Sequence, residues 1–171
     1  METFKVSFRN HISNGEGILI GLLISACFPY IMYIKTSDNI NVFIWIAVIM
    51  FILSAGPALI IHINYYIISR GDIFEYASET KEITIYHKGK SMTFGLDDID
   101  HFERSMSYNL AAKRSSVLLW EMYNHSYVHL KTGQVLTITS LVVPNLNLPI
   151  SEDKIVLKEN IFRLARKYDI N

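Results

Sequence analysis

From Asn39 to Ser69 the chain reads NINVFIWIAVIMFILSAGPALIIHINYYIIS, a run of 31 residues without an Asp, Glu, Lys or Arg. About 20 apolar residues cross the ~30 Å hydrocarbon core of a bilayer at about 1.5 Å per residue, so this run is longer than one span needs. A second charge-free run, Gly17 to Ile34, has 18 residues and is just long enough. The soluble alternative would bury both runs as core helices. A domain this small has no interior deep enough to hide them. The two runs therefore predict a membrane α-helical hairpin of two transmembrane helices over residues 15–69, preceded by a short cytoplasmic segment, 1–14.

Lys35-Thr36-Ser37-Asp38 and a few neighbours separate the runs, which forces antiparallel helices and puts both termini on one side. Lys5, Arg9 and Arg70 flank the hairpin at that side, against Lys35 alone in the turn. The positive-inside bias places both termini of this multi-pass integral membrane protein in the cytoplasm. Tyr30, Tyr33 and Trp45 would form the outer aromatic belt, and Tyr65 and Tyr66 the inner one.

Whole-chain composition conceals this division. The 171 residues carry 16 basic and 16 acidic side chains, for zero formal net charge. Only seven of those charges precede residue 71. Neutrality excludes nucleic acid as a main partner. The single cysteine, Cys27, excludes an intrachain disulfide and suits a cytoplasmic soluble part. Ile24-Ser25-Ala26-Cys27 has the small residues of a lipoprotein signal, but apolar residues follow where a mature lipoprotein turns polar, so Cys27 reads as an uncleaved membrane residue.

Within the first span Gly17, Gly21 and Ser25 recur every four residues and form a small-residue ridge for helix packing. The second span offers Ser54, Ala55, Gly56 and Ala58 as the counterpart within the hairpin; a homodimer through the same ridge is the alternative. Pro29 and Pro57 each remove a helical hydrogen bond and invite kinks. His62 and Asn64 are the strongly polar side chains of the spans, expected to make interhelical hydrogen bonds or to snorkel.

After Arg70 the periodicity changes to alternation. Ile83–His87, the turn Lys88-Gly89 and Lys90–Phe94 predict a β-hairpin. A strand is expected at 99–105, and a second hairpin at 127–130 and 135–139 around Lys131–Gln134. A helix is expected over 161–168, with Arg163, Arg166 and Lys167 near its C-terminus; residues 152–160 read equally as strand or helix.

Two spans followed by ITIYHKGKSMTFGLDDIDHFERS and YVHLKTGQVLTITSLVVPNLNLP resemble bacterial two-span membrane proteins with a C-terminal pleckstrin-homology-like domain. The resemblance implies a mainly-β PH-like barrel over residues 70–171, capped by the C-terminal helix, on the cytoplasmic face. It implies no activity. Residues 107–119 are long for a connection in such a fold and are a candidate for individual function.

Phosphate-cradling, dinucleotide, nucleophile-elbow and metalloprotease motifs are missing from the sequence. His125 and His129, with Glu121, are a weak metal set and read as an exposed polar strand face. Asp97, Asp98, Asp100 and Glu103 read as a solvated turn leading into a strand. No catalytic residue, metal or cofactor is therefore expected. Lys88, Lys90, Lys113 and Arg114 are candidate contacts to lipid headgroups or a partner, each basic residue contributing roughly 1 kcal/mol near an anionic leaflet. The expected function is a membrane-anchored, non-enzymatic interaction, scaffold or sensing protein, such as an envelope accessory or immunity-type protein, with the lipid bilayer and a protein as partners. The alternative is a small oligomeric transport or pore subunit assembled through Gly17, Gly21 and Ser25 and lined by His62 and Asn64.

Overall fold

The computed structural model describes residues 1–36, 39–116, 118–144 and 150–168. The tip of the hairpin at Ser37 and Asp38, and Val117 in the long connection, lie outside these. A short strand, β1 (Glu2–Lys5), opens the chain, followed by α1 (Phe8–Thr36) and α2 (Ile40–Ser69). Three strands come next: β2 (Ile73–Ala77), β3 (Glu82–His87) and β4 (Lys90–Gly95). The rest is β5 (Ile99–Met106), one helical turn α3 (Tyr108–Ala111), β6 (His125–Leu130), β7 (Val135–Thr139) and β8 (Ile155–Glu159).

β1 changes the organisation expected from the sequence. It pairs antiparallel with β2, from Glu2 opposite Tyr76 to Lys5 opposite Ile73. The helical hairpin is thus inserted between two neighbouring strands of one sheet, and the N-terminal segment belongs to the sheet region. A PH-like domain beginning only after residue 70 is not supported. Two-residue and three-residue connectors, Val6-Ser7 and Arg70-Gly71-Asp72, join the helices to those strands. Ser7 Oγ accepts the Asn10 amide at 3.2 Å at the start of α1. Asn39 caps α2 by accepting from the Asn41 amide at 3.0 Å.

The β region consists of two four-stranded sheets, ordered β1-β2-β3-β4 and β7-β6-β5-β8, and not the closed barrel that the resemblance implies. Phe74, Ile83, Ile85 and Phe94 of the first sheet share one core with Phe102, Val128, Leu136 and Ile138 of the second. Their alternation along each strand sets the register. Lys88 and Gly89 both have positive φ, 48° and 81°, as a two-residue turn of the I′ kind requires. Both expected β-hairpins form, and the open segment 152–160 becomes a 3-10 turn followed by β8, which runs parallel to β5.

No helix forms over 161–168; these residues run as an extended strap. The reason lies in what satisfies the backbone. The Ala165 amide donates to Asn64 Oδ1 at 2.9 Å and the Arg166 amide to Tyr127 Oη at 2.9 Å. Thr137 Oγ1 donates to the Arg166 carbonyl at 2.7 Å. Side chains of α2 and the second sheet thereby claim the groups that helical bonds would have used. Lys167, expected at the end of its own helix, instead donates to the Ile68 carbonyl at 2.6 Å, in the last turn of α2.

Both long helices are apolar and long enough to cross a membrane by length and composition. They run unbroken through Pro29 and Pro57. The small-residue ridge is filled within the chain. A Cβ on Gly21 would stand 2.9 Å from the Ala55 Cβ, and Ser25 Oγ lies 3.2 Å from Ser54 Oγ. A Cβ on Gly17 would stand 1.8 Å from the Leu119 carbonyl oxygen. Gly56 is not a packing position, since a Cβ there would make only an ordinary 3.6 Å contact and Ala55 occupies the crossing. Gly17→Ala should therefore destabilise the protein by roughly 1–3 kcal/mol, because the obstructing atom is backbone. Gly56→Ala should be neutral or stabilising by up to about 1 kcal/mol through helix propensity. Thermal unfolding of both variants in one detergent checks the ordering.

Candidate functional site

Alternation places Val128 and Leu130 in the core and turns His125, Tyr127 and His129 to the other face of the second sheet. That face is not the exposed surface expected from the sequence, because the strap runs across it. Between sheet and strap lies an open groove of about 480 Å³, lined from β5 and β6 by Glu103, His125 and His129 and from β8 and the strap by Lys158, Arg163 and Arg166. Lys158 Nζ bridges to Glu103 Oε2 at 2.8 Å. Tyr127 and Tyr168 meet edge to face, their centroids 5.4 Å apart.

Arg163 is the largest fully buried side chain. Its guanidinium donates to the Asn160 carbonyl at 2.7 Å and to the Trp120 carbonyl at 2.8 Å, so it fastens the strap to the loop before β6. Burial, opposed by Tyr65 and Glu121 nearby, pushes its pKa down from the usual value. His125 Nδ1 shares a 2.8 Å hydrogen bond with Tyr65 of α2. Burial, with Arg163 adding to it, lowers its pKa to about 4. His129 stacks on His101 at 4.2 Å and is lowered too, first by burial and then by His101. Neutral imidazoles, aromatic edges and basic side chains make the groove a hydrogen-bonding surface with an excess of cations.

The groove adjoins the root of the helical hairpin. Ala58, Ile61, Tyr65 and Ile68 of α2 form a second core with Tyr123, Leu141 and Ala165. Polar bonds surround it. Asn10 Nδ2 donates to the Leu141 carbonyl at 2.8 Å, and Asn14 Nδ2 to the Ser140 carbonyl at 3.2 Å. His62 Nδ1 lies 2.7 Å from Tyr123 Oη, and its Nε2 lies 2.9 Å from His11 Nδ1. Asn64 holds the backbone of Ala165. His62 thus meets His11 across the helix pair, and both polar residues also bind the β region. Asp72 accepts from His87 and lies 3.7 Å from Lys167 Nζ; burial raises its pKa, opposed by these two partners.

Lys88 lies in the β3–β4 turn and Lys90 opens β4, whereas Lys113 and Arg114 lie in the connection after α3. The two pairs belong to different sheets and form no common site with the groove. Arg114 stacks over Tyr108 at 5.5 Å, and Lys113 takes a positive φ of 55°. Among the described residues, no three His, Cys, Asp or Glu side chains cluster as a metal site. Asn10 and Asn14 were not singled out in the sequence; Tyr65 was expected in an aromatic belt and Arg163 near the end of a helix, and both are instead fully buried. The i, i+4 spacing of Asn10 and Asn14 was a signal that one face of α1 begins polar. Nothing in sequence marked Arg163 as buried.

A family model described as a PH domain matches residues 3–149. The match therefore includes β1 and both long helices and stops before β8 and the strap. No curated protein and no solved structure matches the chain.

His125 gives the groove a pH signature. Its folded pKa, about 4, lies below the value near 6.5 of an unfolded histidine, so the unfolded chain binds the extra proton on acidification. Its contribution is therefore intact above about pH 6.5 and is lost as pH falls toward about 4. The loss amounts to about 1–2 kcal/mol between about pH 7 and 5. Denaturant titrations across that range should show a shallower pH slope for His125→Gln than for the parent chain.

Proposed function

The chain belongs to the PH domain family, and from that premise we propose that it is a membrane-anchored, non-enzymatic interaction module. A PH-like domain suggests an interaction or scaffold role; the anchor is the helical hairpin inserted into it. The observation that carries this reading is the exposure of the hairpin's apolar surface. Leu23, Trp45 and Leu53 are 63%, 67% and 69% exposed, and residues of this kind surround both helices beyond their packed seam. An apolar surface of this extent on a soluble monomer would be a severe aggregation liability, whereas a bilayer covers it without cost. The basic residues Lys5, Arg9 and Arg70 at the root favour a cytoplasmic β region.

The groove is the surface we assign to the partner. Its excess of basic side chains and its aromatic edges suit an acidic or polar protein segment laid along β6. Such a protein acts by holding its partner at the inner face of the membrane, as an envelope scaffold, sensor or immunity-type protein would.

Cysteine accessibility in intact cells tests the anchor and its orientation. In a Cys27→Ser background, Lys35→Cys should react with a membrane-impermeant maleimide added outside. Lys131→Cys, in the β6–β7 turn, should react only after permeabilisation. Equal reactivity of the two sites in intact cells would overturn the topology, and release of the parent chain by alkaline carbonate would overturn the anchor.

A further inference from the structure

The two charge-free runs differ by more than ten residues, and the packing of the helices shows where the excess goes. The helices cross with Gly21 against Ala55, while Gly15 faces His62. Gly17, the first residue after the charge of Glu16, therefore stands level with the part of α2 near Ala58. From Gly17 to Thr36, and from Ile40 to Ala58, each helix rises about 27–29 Å, close to one hydrocarbon thickness. The remainder of α2 packs one face on the β region through Ile61, Tyr65 and Ile68, while Ile60, Ile63 and Ile67 on its other face stay exposed. One hydrocarbon thickness, counted from the turn between the helices, therefore ends near Gly17 and Ala58.

Residues outside the helices reach the same level. The Leu119 carbonyl lies against Gly17, and Trp120 packs on the cluster that includes Ala58 and Ile61. Trp120 Nε1 donates to the Ile161 carbonyl at 3.0 Å, which brings the start of the strap alongside. What this layer shows to solvent is apolar: Met122 and Ile161 are 43% and 74% exposed, while Phe162 borders the groove. We propose that Leu118–Met122 and Ile161 form a shelf at the root of the hairpin that lies in the headgroup–acyl boundary of the inner leaflet. The occupant is lipid, because the shelf continues the apolar surface of α1 and α2 at a depth that their length sets. A partly buried tryptophan beside exposed aliphatic side chains is the composition that this boundary favours. The surface differs from the Lys88–Lys90 turn and needs no particular headgroup. In the bilayer the β region lies against the membrane in one fixed orientation.

This inference rests on the hairpin being inserted, and the two tryptophans of the chain separate the two claims. The full chain is reconstituted in phosphatidylcholine–phosphatidylglycerol vesicles containing lipids brominated either near the glycerol end or near the methyl end of the acyl chain. In the Trp45→Phe variant, Trp120 should lose roughly half of its emission to the glycerol-end bromines and much less to the methyl-end ones, as a group only ~5–10 Å deep must. Trp45, read in Trp120→Phe or as the difference between parent and Trp45→Phe, reports insertion of the hairpin. Quenching of Trp45 with none of Trp120 would overturn the shelf and leave the anchor standing. In that case, shielding of Trp120 from acrylamide would indicate a protein cover, such as a second copy. No quenching of either tryptophan would overturn the anchor and the shelf together.

Discussion

Pairing of Lys5 with Ile73 across β1 and β2 closes the helical hairpin into an insertion whose two ends are fixed in one sheet. The short connectors leave neither helix room to swing. Each helix continues the backbone of a strand, and the second core of Ala58, Ile61, Tyr65, Tyr123 and Leu141 clamps their lower turns. The helical hairpin and the β region are in this sense one body. A flexible anchor would let the domain sample many orientations; a rooted one gives it a single orientation.

The root also accounts for the polar groups on otherwise apolar helices. A buried donor or acceptor without a partner costs more than a hydrogen bond returns, so Asn10, Asn14, His62 and Asn64 must each be satisfied where they are buried. All four find partners across the junction: backbone carbonyls at 140 and 141, the Tyr123 hydroxyl and the backbone of Ala165. Directional bonds at this junction do what apolar contact alone does not. They fix the rotation of α1 and α2 about their axes, and so fix which helical faces point outward.

The strands of the two β-hairpins and the two long helices were legible because each rests on a local pattern: alternation with a glycine turn, or an unbroken apolar run. β1 was not, since Glu2–Lys5 carries two charges in four residues and gains its strand character only from β2, about 70 positions away. The strap was misread as a helix for a related reason. Leu157, Ile161, Leu164 and Tyr168 do have helical spacing, but the deciding interactions are Asn64 with Ala165 and Tyr127 with Arg166, which no window of sequence contains. Likewise the small-residue ridge was visible, but only the fold shows that Ala55, Ser54 and the Leu119 carbonyl fill it. Of the groove, sequence showed that His125, Tyr127 and His129 share a face; what covers that face depended on the strap.

The strap belongs to the groove and to the hairpin at once. Its outer side chains, Arg166 and Tyr168, border the groove, while Ala165 is tied to Asn64 and Lys167 to the Ile68 carbonyl at the end of α2. A ligand that seats beside Arg166 without moving the backbone leaves those ties intact, so binding of that kind is independent of the helical hairpin. A ligand that displaces the strap must instead unmake the cationic cap on α2 and expose the Asn64 amide in an apolar junction, and each loss weakens its affinity. The geometry therefore favours a partner that adds to the existing edge of the groove over one that replaces the strap.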